Sequence, residues 1–167
     1  MPPSKFTPII ISSVITITLS LMPFVNFINF ICCGSVLIGV FAGTAYYNNQ
    51  LKRTGESVRF KDGAAIGVLS GIISAILIVM LTTFLSMLIK QNPVPEMFNL
   101  LDQRGIKVPV EVEQFLQKIS AEYQKNGFSI TMTLMSLAAD IIFYPLFGAL
   151  GGILSVSILS RKKYASE

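Results

Sequence analysis

Residues 63–89 read GAAIGVLSGIISAILIVMLTTFLSMLI and hold no charged residue. At about 1.5 Å per residue, a helix over this stretch reaches roughly 40 Å, more than the ~30 Å hydrocarbon core of a bilayer. Its small residues are ordered. Gly63, Gly67, Ser70, Gly71 and Ser74 recur at spacings of three and four and so form one stripe. Such a stripe lets a second helix come close in lipid, where burial of apolar surface no longer drives association. The stretch reads as a membrane span that packs on a neighbour through Gly63, Gly67 and Gly71.

The composition agrees. Of the 167 residues 52% are hydrophobic and only 13% charged, against about 25% charged in an ordinary soluble domain. The net charge of +4 comes from short basic patches beside apolar runs, which suits an anionic membrane surface and not a nucleic-acid groove. Histidine is absent, which removes the commonest general base and a frequent metal ligand. No catalytic, metal or nucleotide motif is present, so the reading is non-enzymatic, with no cofactor and no nucleic-acid partner. Cys32 and Cys33 are adjacent in an apolar run. Neighbouring cysteines rarely reach disulfide geometry, and the pair reads as small apolar filler.

Outward from the central stretch, three more apolar runs appear. Residues 6–22 are uncharged and rich in Ile, Ser and Thr, with Pro23, Asn26 and Asn29 following as a turn. No small-x-small cleavage site follows, so this run reads as a first span, 6–23, and not as a removed signal peptide. The second span is 29–47. Its Gly39 and Gly43 form a GxxxG pair, and Tyr46 and Tyr47 mark an interfacial end. Residues 48–62 then form a basic loop with Lys52, Arg53, Arg59 and Lys61. The last run, 128–160, contains Pro145 and is too long for one straight span. It predicts a kinked helix, or an interfacial lead-in before a span at 137–159, with Gly148, Gly151, Gly152 and Ser155 as its small-residue face.

Between the third and fourth spans lies a polar segment, 93–126. Pro93 and Pro95 stop the preceding helix. A short helix is expected over 96–104, ended by Gly105. Pro109 suits the first position of a second helix, 109–125. There Val112, Phe115, Leu116, Ile119 and Tyr123 fall on one face, and Glu113, Gln117 and Lys118 on the other. Gly127 ends it. The wide apolar face should lie on the membrane or on the bundle.

Basic residues lie at Lys5, in the loop 48–62 and at Arg161, Lys162 and Lys163. Short basic loops stay on the cytoplasmic side, so both termini are expected there and the segment 93–126 outside. The same loop offers Lys52, Arg53, Arg59 and Lys61 to lipid headgroups, although its dominant role is topological.

Asp140 is the one charged residue inside an apolar run, and an intramembrane acid is a functional candidate by default. It shares a helical side with Tyr144, Gly148, Gly151 and Ser155. Two readings stay open. In the favoured one Asp140 is an interfacial acid near a helix start. In the other, Asp140 with Tyr144 is a protonatable or cation site. The hydroxyls of span one (Ser12, Ser13, Thr16, Thr18, Ser20) bond back to their own helix or line a polar path, the first being favoured.

The exit of the second span, AGTAYYNNQLKRTGE, the entry SVRFKDGAAIGVLSGIISAI, the outer amphipathic segment and the terminal RKK together resemble a broad family of four-span bacterial membrane proteins, a domain of unknown function. The likeness covers about residues 40–163. It implies an architecture and a bacterial plasma membrane, and carries over no active-site residue. The expectation is an all-α, single-domain integral membrane bundle of four transmembrane helices, with a short amphipathic helical cap between spans three and four. Its expected partners are the lipid bilayer and other membrane proteins or copies of itself, and its role structural or accessory. The alternative is a small transporter or channel subunit using Asp140.

Overall fold

In the computed structural model the described residues are 3–22, 34–90, 92–106 and 108–164, with side chains to residue 160. Their regular structure is entirely helical: α1 (Phe6–Leu21), α2 (Gly34–Arg53), α3 (Phe60–Ile89), α4 (Val94–Gln103), α5 (Val110–Asn126) and α6 (Ile130–Tyr164). Pro23, Asn26, Asn29, Cys32 and Cys33 lie outside the described residues, as do the side chains of Arg161, Lys162 and Lys163.

Two helices are long and apolar enough to cross a membrane, α3 over its whole length and α6 over Ile130–Ser160. Helix α1 is apolar but has 16 residues, about 24 Å of rise. Helix α2 continues past Tyr47 through Asn48, Asn49, Gln50, Lys52 and Arg53, so the expected loop 48–62 shrinks to the segment between Arg53 and Phe60. Its second boundary moves because Arg59 and Asp62 start α3 early. The Asp62 carboxylate accepts the Arg59 N–H at 3.4 Å, and the Asp62 and Gly63 N–H groups donate to the Arg59 carbonyl, which satisfies part of the open first turn. Helix α6 starts at Ile130, seven residues before the expected 137, and passes through Pro145 without ending.

The chain forms two compact units, Met1–Ile78 with Ala139–Glu167, and Val79–Ala138. In the first, α1 lies on α2 and α3 lies on α6. Glycines set both approaches. A Cβ at Gly39 would fall 2.7 Å from the Ser12 carbonyl oxygen, and one at Gly43 would fall 2.5 Å from that of Pro8. On the other pair, Gly63 faces Gly152, Gly67 faces Gly148, and a Cβ at Gly71 would fall 2.6 Å from the Tyr144 carbonyl oxygen. Four residues along α3 match four along α6 in the opposite direction, so the two helices run antiparallel.

The interior of this unit is inverted relative to a water-soluble fold. Ser12, Ser13, Thr16, Ser35, Thr44, Ser70, Ser74 and Ser155 are buried. Ile10, Val14, Phe41, Leu69, Ile72, Ile76, Leu77, Leu150 and Leu154 are exposed. Apolar side chains are buried as well: Ile9, Tyr47, Leu51, Val58, Ile66 and Val156 form a cluster, and Val36, Val40, Ala75 and Ile78 are buried outside it.

In the second unit α4 and α5 form a hairpin. Val94, Leu116 and Ile119 make its core, with Phe98 and Tyr123 packed against them. Asn92 fixes its entrance: its amide donates to the Ser120 hydroxyl at 2.8 Å, and its carbonyl accepts the Val94 N–H at 3.1 Å. The expected apolar face of α5 divides. Leu116 and Ile119 turn inward, while Val112 and Phe115 are exposed. Gly105 and Gly127 take left-handed conformations, φ 66° and 78°, where Gly carries no Cβ penalty. Lys90, just past α3, is also left-handed at φ 52° and donates its N–H to the Ser86 carbonyl at 2.8 Å.

Candidate functional site

Three places carry the polar residues in unusual settings: the hydroxyl-lined interior of the first unit, Asp140, and the basic end around the segment between α2 and α3.

The interior hydroxyls are structural in their geometry. Ser70 donates to the Gly67 carbonyl at 3.1 Å and Ser155 to Gly151 at 2.6 Å, each within its own helix, as the exposed Thr18 does to Val14 at 2.8 Å. Ser13 instead bonds across to the Ser70 carbonyl at 3.4 Å, and the Ser20 and Ser35 hydroxyls pair at 3.0 Å. The hydroxyls of α1 therefore serve mostly as small, close-packing side chains facing α2 and α3, and not as self-bonded groups alone. The Ser12 oxygen lies over Gly43, and those of Ser12, Thr44 and Ser74 are buried without a conventional hydrogen bond among the described residues. Contact with a glycine Cα–H gives the Ser12 oxygen a weak partner.

Asp140 is half-buried on α6, one turn before Tyr144. The α3–α6 register places it level with Ser74 and Ala75, both fully buried. No hydrogen bond or ion pair joins its carboxylate to another described residue. Tyr144 is half-buried on the same side, its carbonyl against Gly71. Asp140 and Tyr144 thus share a helix side with Gly148, Gly151 and Ser155.

The basic residues of the predicted loop fall in different places. Arg59 and Lys61 line a cavity of about 320 Å³ together with Lys5, Tyr47 and Asp62. Lys52 lines a neighbouring cavity of about 330 Å³ with Asn48 and Leu159. Arg53 borders neither. Lys5 reaches Asp62 at 2.6 Å and so ties the start of α1 to the start of α3. Sequence reading missed this pair, because 57 residues separate two charges that each looked like ordinary solvated ends.

Glu122 was also missed. In the second unit it accepts the Ser129 hydroxyl at 2.6 Å, the Thr131 hydroxyl at 2.6 Å and the Thr131 N–H at 2.9 Å. The Ser129 oxygen in turn accepts the Met132 N–H at 3.1 Å. Glu122 therefore caps the start of α6 from α5, where a carboxylate also complements the positive helix end. These hydrogen bonds hold its carboxyl down at about 2. Ser129 ahead of an apolar run was a legible helix-start signal; its carboxylate partner seven residues upstream was not.

Comparison with family models, with curated proteins and with solved structures finds no match for this chain.

Proposed function

We propose that this chain is a multi-pass membrane protein of structural or accessory, non-enzymatic role, with four crossings made by α1, α2, α3 and α6, the α4–α5 hairpin outside and both termini cytoplasmic. The observation that carries this reading is the inverted first unit, with serines, threonines and glycines inside and Ile, Leu and Phe outside. In water such a surface would associate or aggregate. In lipid it is favourable, because small residues give close helix contact and large apolar ones meet the acyl chains. The resemblance to four-span bacterial proteins points to the same architecture in a plasma membrane, with other membrane proteins or further copies as partners. Alkaline carbonate extraction of membranes tests it. The chain should stay in the pellet with integral proteins; release into the supernatant would contradict the proposal.

A second reading, a small transporter or channel subunit, is favoured by one observation: the Asp140 carboxylate has no cationic partner among the described residues. Purified chain in liposomes would then carry a proton- or cation-dependent flux that Asp140→Asn abolishes. Absence of flux from well-reconstituted protein would remove this reading.

A further inference from the structure

The cavity lined by Tyr47, Arg59 and Lys61 has features that topology alone does not require. Its volume, about 320 Å³, lies at the small end of ligand sites. Three cations, Lys5, Arg59 and Lys61, meet two acids, Glu56 and Asp62, around it. Asp62 is already committed, to Lys5 at 2.6 Å and to the Arg59 N–H at 3.4 Å. Arg59 and Lys61 form no ion pair with any described residue. The cavity also adjoins the first turn of α3, a 30-residue helix whose start is its positive end.

Tyr47 supplies an independent observation. It is only 2% exposed and belongs to the apolar cluster with Leu51 and Ile66, yet it lines this cavity and its hydroxyl forms no hydrogen bond with a described residue. The ring is buried while the hydroxyl opens on the cavity, where an acceptor oxygen can reach it. An arginine fork, an ammonium and a phenol O–H around one small cavity are all donors. A tetrahedral group with several acceptor oxygens can use donors arriving from different directions, which a planar carboxylate does less well.

We propose that this cavity is a binding site for a phosphate group, held by Arg59 and Lys61 and oriented by the Tyr47 hydroxyl. The phosphate belongs either to an anionic lipid headgroup or to a free phosphate. Phe6 and Phe60 are 69% and 55% exposed beside Lys5, Arg59 and Lys61, an aromatic-and-basic arrangement that suits a headgroup at a membrane surface. The lipid source rests on the membrane reading above; the site itself does not.

The test uses the purified full chain in a non-ionic detergent, with dioctanoyl phosphatidic acid, dioctanoyl phosphatidylcholine and inorganic phosphate as probes, read by titration calorimetry. Phosphatidic acid should bind saturably and at least tenfold more tightly than phosphatidylcholine. Arg59→Gln with Lys61→Gln should weaken binding at least tenfold. Tyr47→Phe, which keeps the ring in the core, should weaken it about three- to tenfold, the loss of one hydrogen bond to a charged group. Lys52→Gln with Arg53→Gln, the same loss of two positive charges outside the cavity, should stay within twofold. Inorganic phosphate that competes at similar concentration identifies free phosphate as the ligand; lipid binding indifferent to phosphate identifies the headgroup. No binding of either anion would overturn the proposal, and so would equal weakening by Lys52→Gln with Arg53→Gln and by Arg59→Gln with Lys61→Gln, which would mean diffuse surface charge. These variants should leave carbonate extraction unchanged, so failure of the site and failure of the membrane reading are distinguishable.

Discussion

Gly67 and Gly148 meet backbone to backbone, and each occupies the space into which a side chain on the other would project. The carbonyl of one residue sits where the Cβ of its partner would be, so no rotamer change relieves the overlap; the helices must move apart. Gly63 with Gly152 repeats the relationship one turn away, and Gly71 against Tyr144 repeats it in the other direction. The α3–α6 contact is therefore set by the absence of side chains on α3 at three positions spanning about two turns.

Replacing Gly67 with Ala should accordingly destabilise the protein by about 1–3 kcal/mol, the usual range for overpacking, and Gly67→Leu with Gly71→Leu should do more. Leu77→Ile, at a side chain 45% exposed, should leave the melting temperature in detergent within a degree or two. Equal losses at Gly67 and Leu77 would mean that the stripe is not an interface.

The Glu122 cap gives a pH dependence with a definite sign. Its carboxyl is lowered from an ordinary 4.5 to about 2 in the folded chain, so the unfolded chain binds the proton more readily. The stabilisation is fully present above about pH 4.5 and is lost as the pH falls through about 2. The difference in melting temperature between the native chain and Glu122→Gln should be constant from pH 7 to 5 and shrink steadily toward pH 2. A gap that does not change over that range would show that the carboxylate charge contributes nothing.

The α4–α5 hairpin depends on few large contacts. Ile119, 2% exposed, faces Val94 and Leu116, and Ile119→Ala should cost about 2–5 kcal/mol within that unit. Hydrogen exchange should speed up across α4 and α5. Unchanged protection there would mean that the Val94–Leu116–Ile119 cluster does not hold the hairpin.

Asp140→Asn keeps the shape of the side chain and removes its charge. As Asp140 has no cationic partner among the described residues, the variant should fold and melt like the native chain. A large loss of stability would reveal a buried ionic partner.

Local signals in the sequence read well where the deciding chemistry is local. Gly105 and Gly127 end their helices because each takes the left-handed conformation, and Pro109 immediately precedes α5. The small-residue spacing of Gly63, Gly67 and Gly71 contained the α3 face, though not the identity of the helix opposite. Boundaries failed where a distant group decides them. Helix α6 begins at Ile130 because Glu122, on another helix, accepts from Ser129 and Thr131, whereas Thr131, Thr133 and Ser136 alone suggest a polar lead-in. Pro145 was ambiguous for the same reason: it removes one N–H from the ladder, and whether the helix survives depends on packing. The Tyr47 cavity was hidden because Tyr47 looked like an interfacial ring, and the pattern does not bring Lys5 to the start of α3.

Paired reporter fusions, at Glu167 and near Arg104, test the proposed architecture most directly. Enzymes active only in the cytoplasm or only outside it should report the C-terminus as cytoplasmic and the α4–α5 hairpin as external. The same side for both fusions would contradict the account, since α6 would then not cross the membrane between them.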